Sequence, residues 1–167
     1  MLYRGNWEAK TLPETDKLHE LMKKICYLER ILVRYQGIPR DYGISEFLYM
    51  SELYMIETIG LNEPVSAAEL ARIKNATPSA ISQIIKRLDS KGLLLKDSFE
   101  GNKKTIYIKL SEEGRKAYDL YRETNEKNYL RYISRLPGLT GEDLEKMTEF
   151  ISIITDEFIQ ELSMLDM

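Results

Sequence analysis

The chain has 167 residues, 43% hydrophobic and 31% charged, a composition that fits one globular domain with or without extensions. No stretch of about 18 apolar residues is present, which excludes a membrane span. The opening MLYRGNWEAK lacks the basic and apolar regions of a secretory signal, and one cysteine excludes an internal disulfide, so a cytoplasmic protein is expected.

The net charge of −3 is unevenly distributed. Residues 70–110 carry nine Lys or Arg against three acids, a net +6, while the remainder carries −9. A basic middle between acidic ends is the footprint of a localised nucleic-acid face, although clustering on a solvated surface gives the same count.

The first predicted helix runs from about Glu14 to Tyr35. Pro13 precedes it, and Glu14 and Asp16 suit the positive end of its dipole. Leu18, Leu21, Ile25, Leu28, Leu32 and Tyr35 repeat at alternating spacings of 3 and 4, a narrow seam made for another helix. A second helix is predicted from Ser45, its N-cap, to Ile59, with Gly60 as its stop.

Val65 to Leu110 is denser in signals. Ser66 with Glu69 is a capping box for a short helix, Ala67 to Ile73. After a tight connection, Lys74 to Ala76, Thr77 caps a second helix with Pro78 at its first position, where a missing N–H costs nothing. Ala80, Ile81, Ile84, Ile85 and Leu88 form its apolar face, and Gly92 is placed as a left-handed stop. Two short helices joined by about three residues form the helix-turn-helix pattern, whose second helix enters the major groove.

The other face of that second helix, Thr77 to Lys91, carries Thr77, Pro78, Ser79, Ser82, Gln83, Lys86 and Arg87, with no acid between Thr77 and Arg87. Gln suits a bidentate contact to adenine, Ser a base edge, and Lys and Arg a phosphate or guanine. Leu93 to Lys96 and Thr105 to Leu110 read as strands, the latter with Ile106, Ile108 and Leu110 on its buried side. Gly101-Asn102 between them signals a hairpin, with Lys103 and Lys104 at its tip beside Asn102. A basic hairpin next to a recognition helix is a wing, able to touch phosphates or the minor groove.

Ser111 to Leu136 reads as a long polar helix closed by Pro137 and Gly138. Gly141 to Leu162 reads as a last helix capped by Thr140 with Asp143. In the last helix Leu144, Met147, Ile151, Ile154, Phe158, Leu162 and Leu165 make a second seam. Seams at both ends of the chain suggest a dimer built from the terminal helices; the alternative is that they pack within one monomer.

From about Glu14 to Leu162 the chain resembles the MarR family of bacterial transcriptional regulators. The resemblance lies in SAAELARIKNATPSAISQIIKRLDSKGLL, then a basic wing, then IKLSEEGRK, where Leu110, Ser111 and Gly114 match the family's leucine-threonine-x-x-glycine. It implies a mainly α fold: a winged helix-turn-helix (45–110) with a short β-hairpin wing, and N- and C-terminal helices (14–36 and 111–165) forming a dimerisation region in a single domain, 1–167. It also implies a homodimeric repressor that binds double-stranded DNA at a pseudo-palindromic operator; with no nucleophile motif, glycine-rich phosphate loop or metal-binding pair in the sequence, an enzyme is not expected. In the family the wing commonly carries Asp-x-Arg where this chain has Asn102 and Lys104, so the planar Arg fork is lost and a phosphate contact is expected there instead.

Family members are often switched by aromatic effectors, and Tyr27, Tyr35, Tyr49 and Tyr54, with Tyr42 nearby, mark a pocket for one; each is equally suited to filling core. Cys26 lies about one turn later than the sensor cysteine of peroxide-responsive relatives and is expected to be buried and inert. His19 and Cys26, seven apart, are too few for a metal site without carboxylates, and no cofactor is expected. A metal- or redox-responsive regulator, or a winged-helix dimer that binds protein, are the alternative readings. The protein-binding one calls for an acidic or apolar recognition face.

Overall fold

A computed structural model of the chain describes residues 15–97 and 105–165. They form two compact units, one up to Tyr121 and one from Arg122 onward.

The first unit opens with α1 (Thr15–Gln36), which buries none of its residues. Its seam leucines Leu18, Leu21, Leu28 and Leu32 are all exposed. So is Cys26, against the expectation of burial: the apolar neighbours that suggested a core position are themselves unburied.

Helix α2 (Met50–Asn62) is the central core helix, with Leu53, Met55, Ile56 and Ile59 fully buried. Its N-cap lies four residues later than predicted. Ser45 does not cap it, because Arg40 and Leu48 exchange backbone hydrogen bonds of 2.9 Å each and hold the intervening segment in a non-helical bridge. Tyr49 is the N-cap, and Glu52, three residues on, accepts its backbone N–H at 2.9 Å. Nor does Gly60 end the helix. It lies inside α2, where a Cβ would come within 2.7 Å of the Tyr118 ring. Its smallness serves packing between α2 and the start of α5.

A three-stranded antiparallel sheet follows in the order β1-β3-β2, formed by β1 (Val65–Ser66), β2 (Leu94–Asp97) and β3 (Tyr107–Leu110). Leu94 pairs with Leu110 and Lys96 with Ile108; on the other edge Val65 pairs with Ile108. Ile108 and Leu110 are buried as their alternation predicts, but Ile106 lies before the strand and is exposed. The short β1 was not foreseen; two residues carry no period.

Between β1 and β2 run α3 (Ala67–Ile73) and α4 (Pro78–Ser90). Leu70, Ile81, Ile85 and Leu88 seat the pair on α2. Helix α5 (Glu112–Ile133) begins in this unit, burying Ala117, Tyr118 and Tyr121. Its entry explains the Leu110, Ser111, Gly114 pattern. Leu110 is core, and the Ser111 hydroxyl accepts the Gly114 N–H at 3.0 Å while donating to the Gly92 carbonyl at 2.7 Å. Gly114 passes so close to the Leu93 carbonyl that any Cβ would collide with it.

The second unit holds the rest of α5 and α6 (Gly141–Leu165). Thr140 and Asp143 form the predicted cap, the carboxylate accepting the Thr140 N–H at 2.9 Å and its hydroxyl at 2.6 Å. Like α1, α6 buries none of its residues. Among the described residues no helix is long and apolar enough to cross a membrane.

Candidate nucleic-acid interface

The helix pair is fixed from its caps inward. At α3 the Ser66 hydroxyl accepts the Glu69 N–H at 3.3 Å, and Glu69 accepts the Ser66 N–H and hydroxyl at 2.8 and 2.7 Å. Those hydrogen bonds to the charged form hold the Glu69 carboxyl below its ordinary range. Asn75, at φ 46°, turns the chain between the helices. At α4 the Thr77 hydroxyl accepts the Ala80 N–H at 3.2 Å, with Pro78 in the first turn. Gly92 ends the run at φ +69°, the left-handed region open to glycine.

With Ile81, Ile85 and Leu88 facing the core, the helical period turns Ser79, Ser82, Gln83 and Lys86 outward, and the structure exposes all four. Thr77, Pro78 and Arg87 are exposed at the edges of this face. Of the predicted apolar face, Ala80 stays exposed and Ile84 is half-buried. A largely apolar cleft of about 250 Å³ lies between this helix and β3, bordered by Ser82, Lys86, Ile85, Ile106 and Ile108.

The cations of the basic window divide into two groups. Lys91 is a structural one: it donates to the Phe47 carbonyl and to Glu52, both at 2.8 Å, and is mostly buried. Lys96 on β2 pairs with Asp89 of α4 at 2.6 Å, which ties that strand to the helix. Lys86 has no ion-pair partner among the described residues. Arg87 lies between the two groups, its Nε 3.7 Å from Glu52. The wing is present as the antiparallel β2–β3 pair, while Asn102, Lys103 and Lys104 lie outside the described residues.

Glu52, Asp89 and Glu63 were missed in the sequence. Glu63 accepts the Leu110 N–H at 2.6 Å and pairs with Arg115, fastening β3 and α5 to the end of α2. Their partners lie up to 52 residues away, which no local pattern reveals. Glu52 shares α2 with a second acid, Glu57, and nothing in the local pattern marks it as the buried one.

The tyrosines chosen for a ligand pocket do not all meet. Tyr54 packs edge-on against Tyr121 at 6.4 Å between ring centres, and Tyr42 does so at 5.9 Å. Burial and the neighbouring Tyr35 raise the Tyr42 hydroxyl above its ordinary pKa, against the pull of Arg40. Arg40 stacks on Tyr35 at 3.6 Å. Tyr27 stands apart beside Arg30, and Tyr49 beside Lys91. Among the described residues no group of three potential metal ligands forms, and His19 and Cys26 are both exposed.

Residues 48–114 match the model of a winged helix DNA-binding domain. Relatives in Bacillus subtilis include the HTH-type transcriptional regulators YhjH, 28% identical over 62% of this chain and 59% of that protein, and PchR, 26% identical over 64% and 63%. The match thus spans about three fifths of the length of these relatives. Similar solved structures include Streptococcus pneumoniae FabT in complex with DNA (TM-score 0.63, 16% identity, 88% of this chain and 98% of that one). Another is ZitR of Lactococcus lactis, a zinc-responsive MarR family member (TM-score 0.63, 16% identity, 84% and 97%). PchR is an HTH-type transcriptional regulator, and a further structural neighbour, SlyA, is a transcriptional regulator.

Proposed function

We propose, from the premise that residues 48–114 are a winged helix DNA-binding domain in a chain with the MarR-type fold, that the protein is a cytoplasmic, sequence-specific transcriptional regulator. The observation that carries this reading is the outward face of α4. Thr77, Ser79, Ser82, Gln83 and Lys86 are exposed, with no acid among them, on a helix whose other side is locked into the core. Neither an acidic nor an apolar recognition face is present, so docking onto a protein has less support. In this reading α4 enters the major groove, Gln83 and the serines read base edges, Lys86 and Arg87 meet phosphate, and Asn102, Lys103 and Lys104 of the wing touch the backbone alongside.

The unburied apolar seams of α1 and α6 support a homodimer, and a two-fold dimer calls for a pseudo-palindromic operator; its action as a repressor is proposed on the resemblance to the MarR family alone. Modulation by a small aromatic effector draws its support from Tyr35, Tyr42, Tyr54 and Tyr121; Tyr27 and Tyr49 add none. Selection of bound sites from a random duplex library tests the proposal. The expected product is a pair of inverted half-sites about one helical turn apart. Recovery of no common sequence would reject sequence-specific recognition.

A further inference from the structure

Glu52 is fully buried, and one of its two oxygens is left over. Oε2 accepts from the Tyr49 N–H at 2.9 Å and from Lys91 at 2.8 Å. Oε1 is buried with no hydrogen-bond partner. A buried carboxylate is tolerated when both oxygens are paired, and an orphaned one costs the desolvation of that group. The remaining cation nearby is Arg87, whose Nε stands 3.7 Å from Oε1, too far for a hydrogen bond. Its side chain is half exposed and lies at the edge of the face proposed to meet DNA.

An Arg side chain has a fork of five N–H donors, and Nε–H is the one that can turn inward while the terminal nitrogens stay available. We infer that Glu52 is a positioning residue for Arg87: the buried carboxylate aims the guanidinium at a DNA phosphate, and DNA binding closes the Nε–Oε1 hydrogen bond that the free protein lacks. A phosphate held by the terminal nitrogens fixes the plane of the guanidinium, and a movement of under about 1 Å then brings Nε–H to bonding distance. The inference rests on the proposed function, since it needs a phosphate at Arg87. Glu52 and Lys91 also join α4 to the start of α2, so the same carboxylate that holds the recognition helix would orient its cation.

The test uses the full-length protein, a random-sequence duplex as probe, and the salt dependence of binding for wild type, Glu52→Gln, Arg87→Ala and the double variant. Each single variant is expected to bind on the order of tenfold more weakly at low salt. Each should also lower the salt slope by about one. The double variant should be no weaker than either single one. A wild-type slope in Glu52→Gln, or losses that add fully in the double variant, would overturn the inference. So would wild-type binding by Arg87→Ala; in that case a loss in Lys86→Ala would leave the groove reading standing. A wild-type protein that binds no duplex ends both. Should Glu52→Gln not fold, the Nε–H proton of Arg87 in native protein with isotope-labelled arginine decides. It should exchange slowly with water once DNA is added, and unchanged fast exchange overturns the inference.

Discussion

Gln83 and Lys86 sit one turn apart on the exposed face of α4, yet their chemistry assigns them different work. A glutamine amide donates and accepts at once, which matches the edge of adenine; a lysine ammonium is a point charge suited to phosphate. Gln83→Ala should therefore change the preference at one base pair, by about 1–3 kcal/mol, and leave non-specific affinity nearly intact. Lys86→Ala should weaken every duplex by a similar factor and lower the salt slope by about one. Binding titrations of both variants over a panel of single-base operator changes separate the two. Equal behaviour on all sequences from Gln83→Ala would move base reading elsewhere on the helix. Lys91 and Lys96 carry the same charge as Lys86 but are committed to Glu52 and Asp89, so counting basic residues overstates the number free for DNA.

Among the elements, α3 and α4 were legible almost residue by residue because their boundaries are written in local chemistry. Ser66 with Glu69, Thr77 with Pro78, and Gly92 each act within about one turn of their own position. The start of α2 was not legible, because the Arg40–Leu48 bridge competes with a serviceable cap at Ser45, and Gly60 passes for a stop only until Tyr118 is seen against it. Gly60→Ala should thus destabilise by overpacking against Tyr118, by about 1–3 kcal/mol. Thermal or denaturant unfolding reads this directly, and an unchanged midpoint would deny the close approach. The cap of α3 makes a second test. Ser66→Ala should cost about 1 kcal/mol. Since the folded-state pKa of Glu69 is lowered, its share of stability is present above the carboxylate's ordinary range and fades as pH falls through the depressed value. Glu69→Gln should flatten that part of the acid limb of the stability profile.

At the scale of the molecule, α1 and α6 pose the same physical problem. Each is long, each carries a regular apolar seam, and neither buries a single residue in one copy of the chain. Exposed apolar area of this extent is stable in water only when something covers it. A second copy is the cover that the proposed function calls for, because a two-fold axis would present each seam with an identical one and supply a second α4 for a second half-site. An interface of standard size, about 1,200–2,000 Å², needs side chains from several turns, and both helices have them. Sedimentation should therefore report twice the 19.5 kDa chain mass. A charge placed in either seam, Leu28→Asp in α1 or Ile151→Asp in α6, should shift the protein to monomer. Because a monomer holds one half-site at a time, each variant should lose most of its affinity for a paired operator while keeping that for a single half-site. A monomeric wild type with full operator affinity would mean that the seams serve another partner, and that one α4 helix with its wing suffices for recognition.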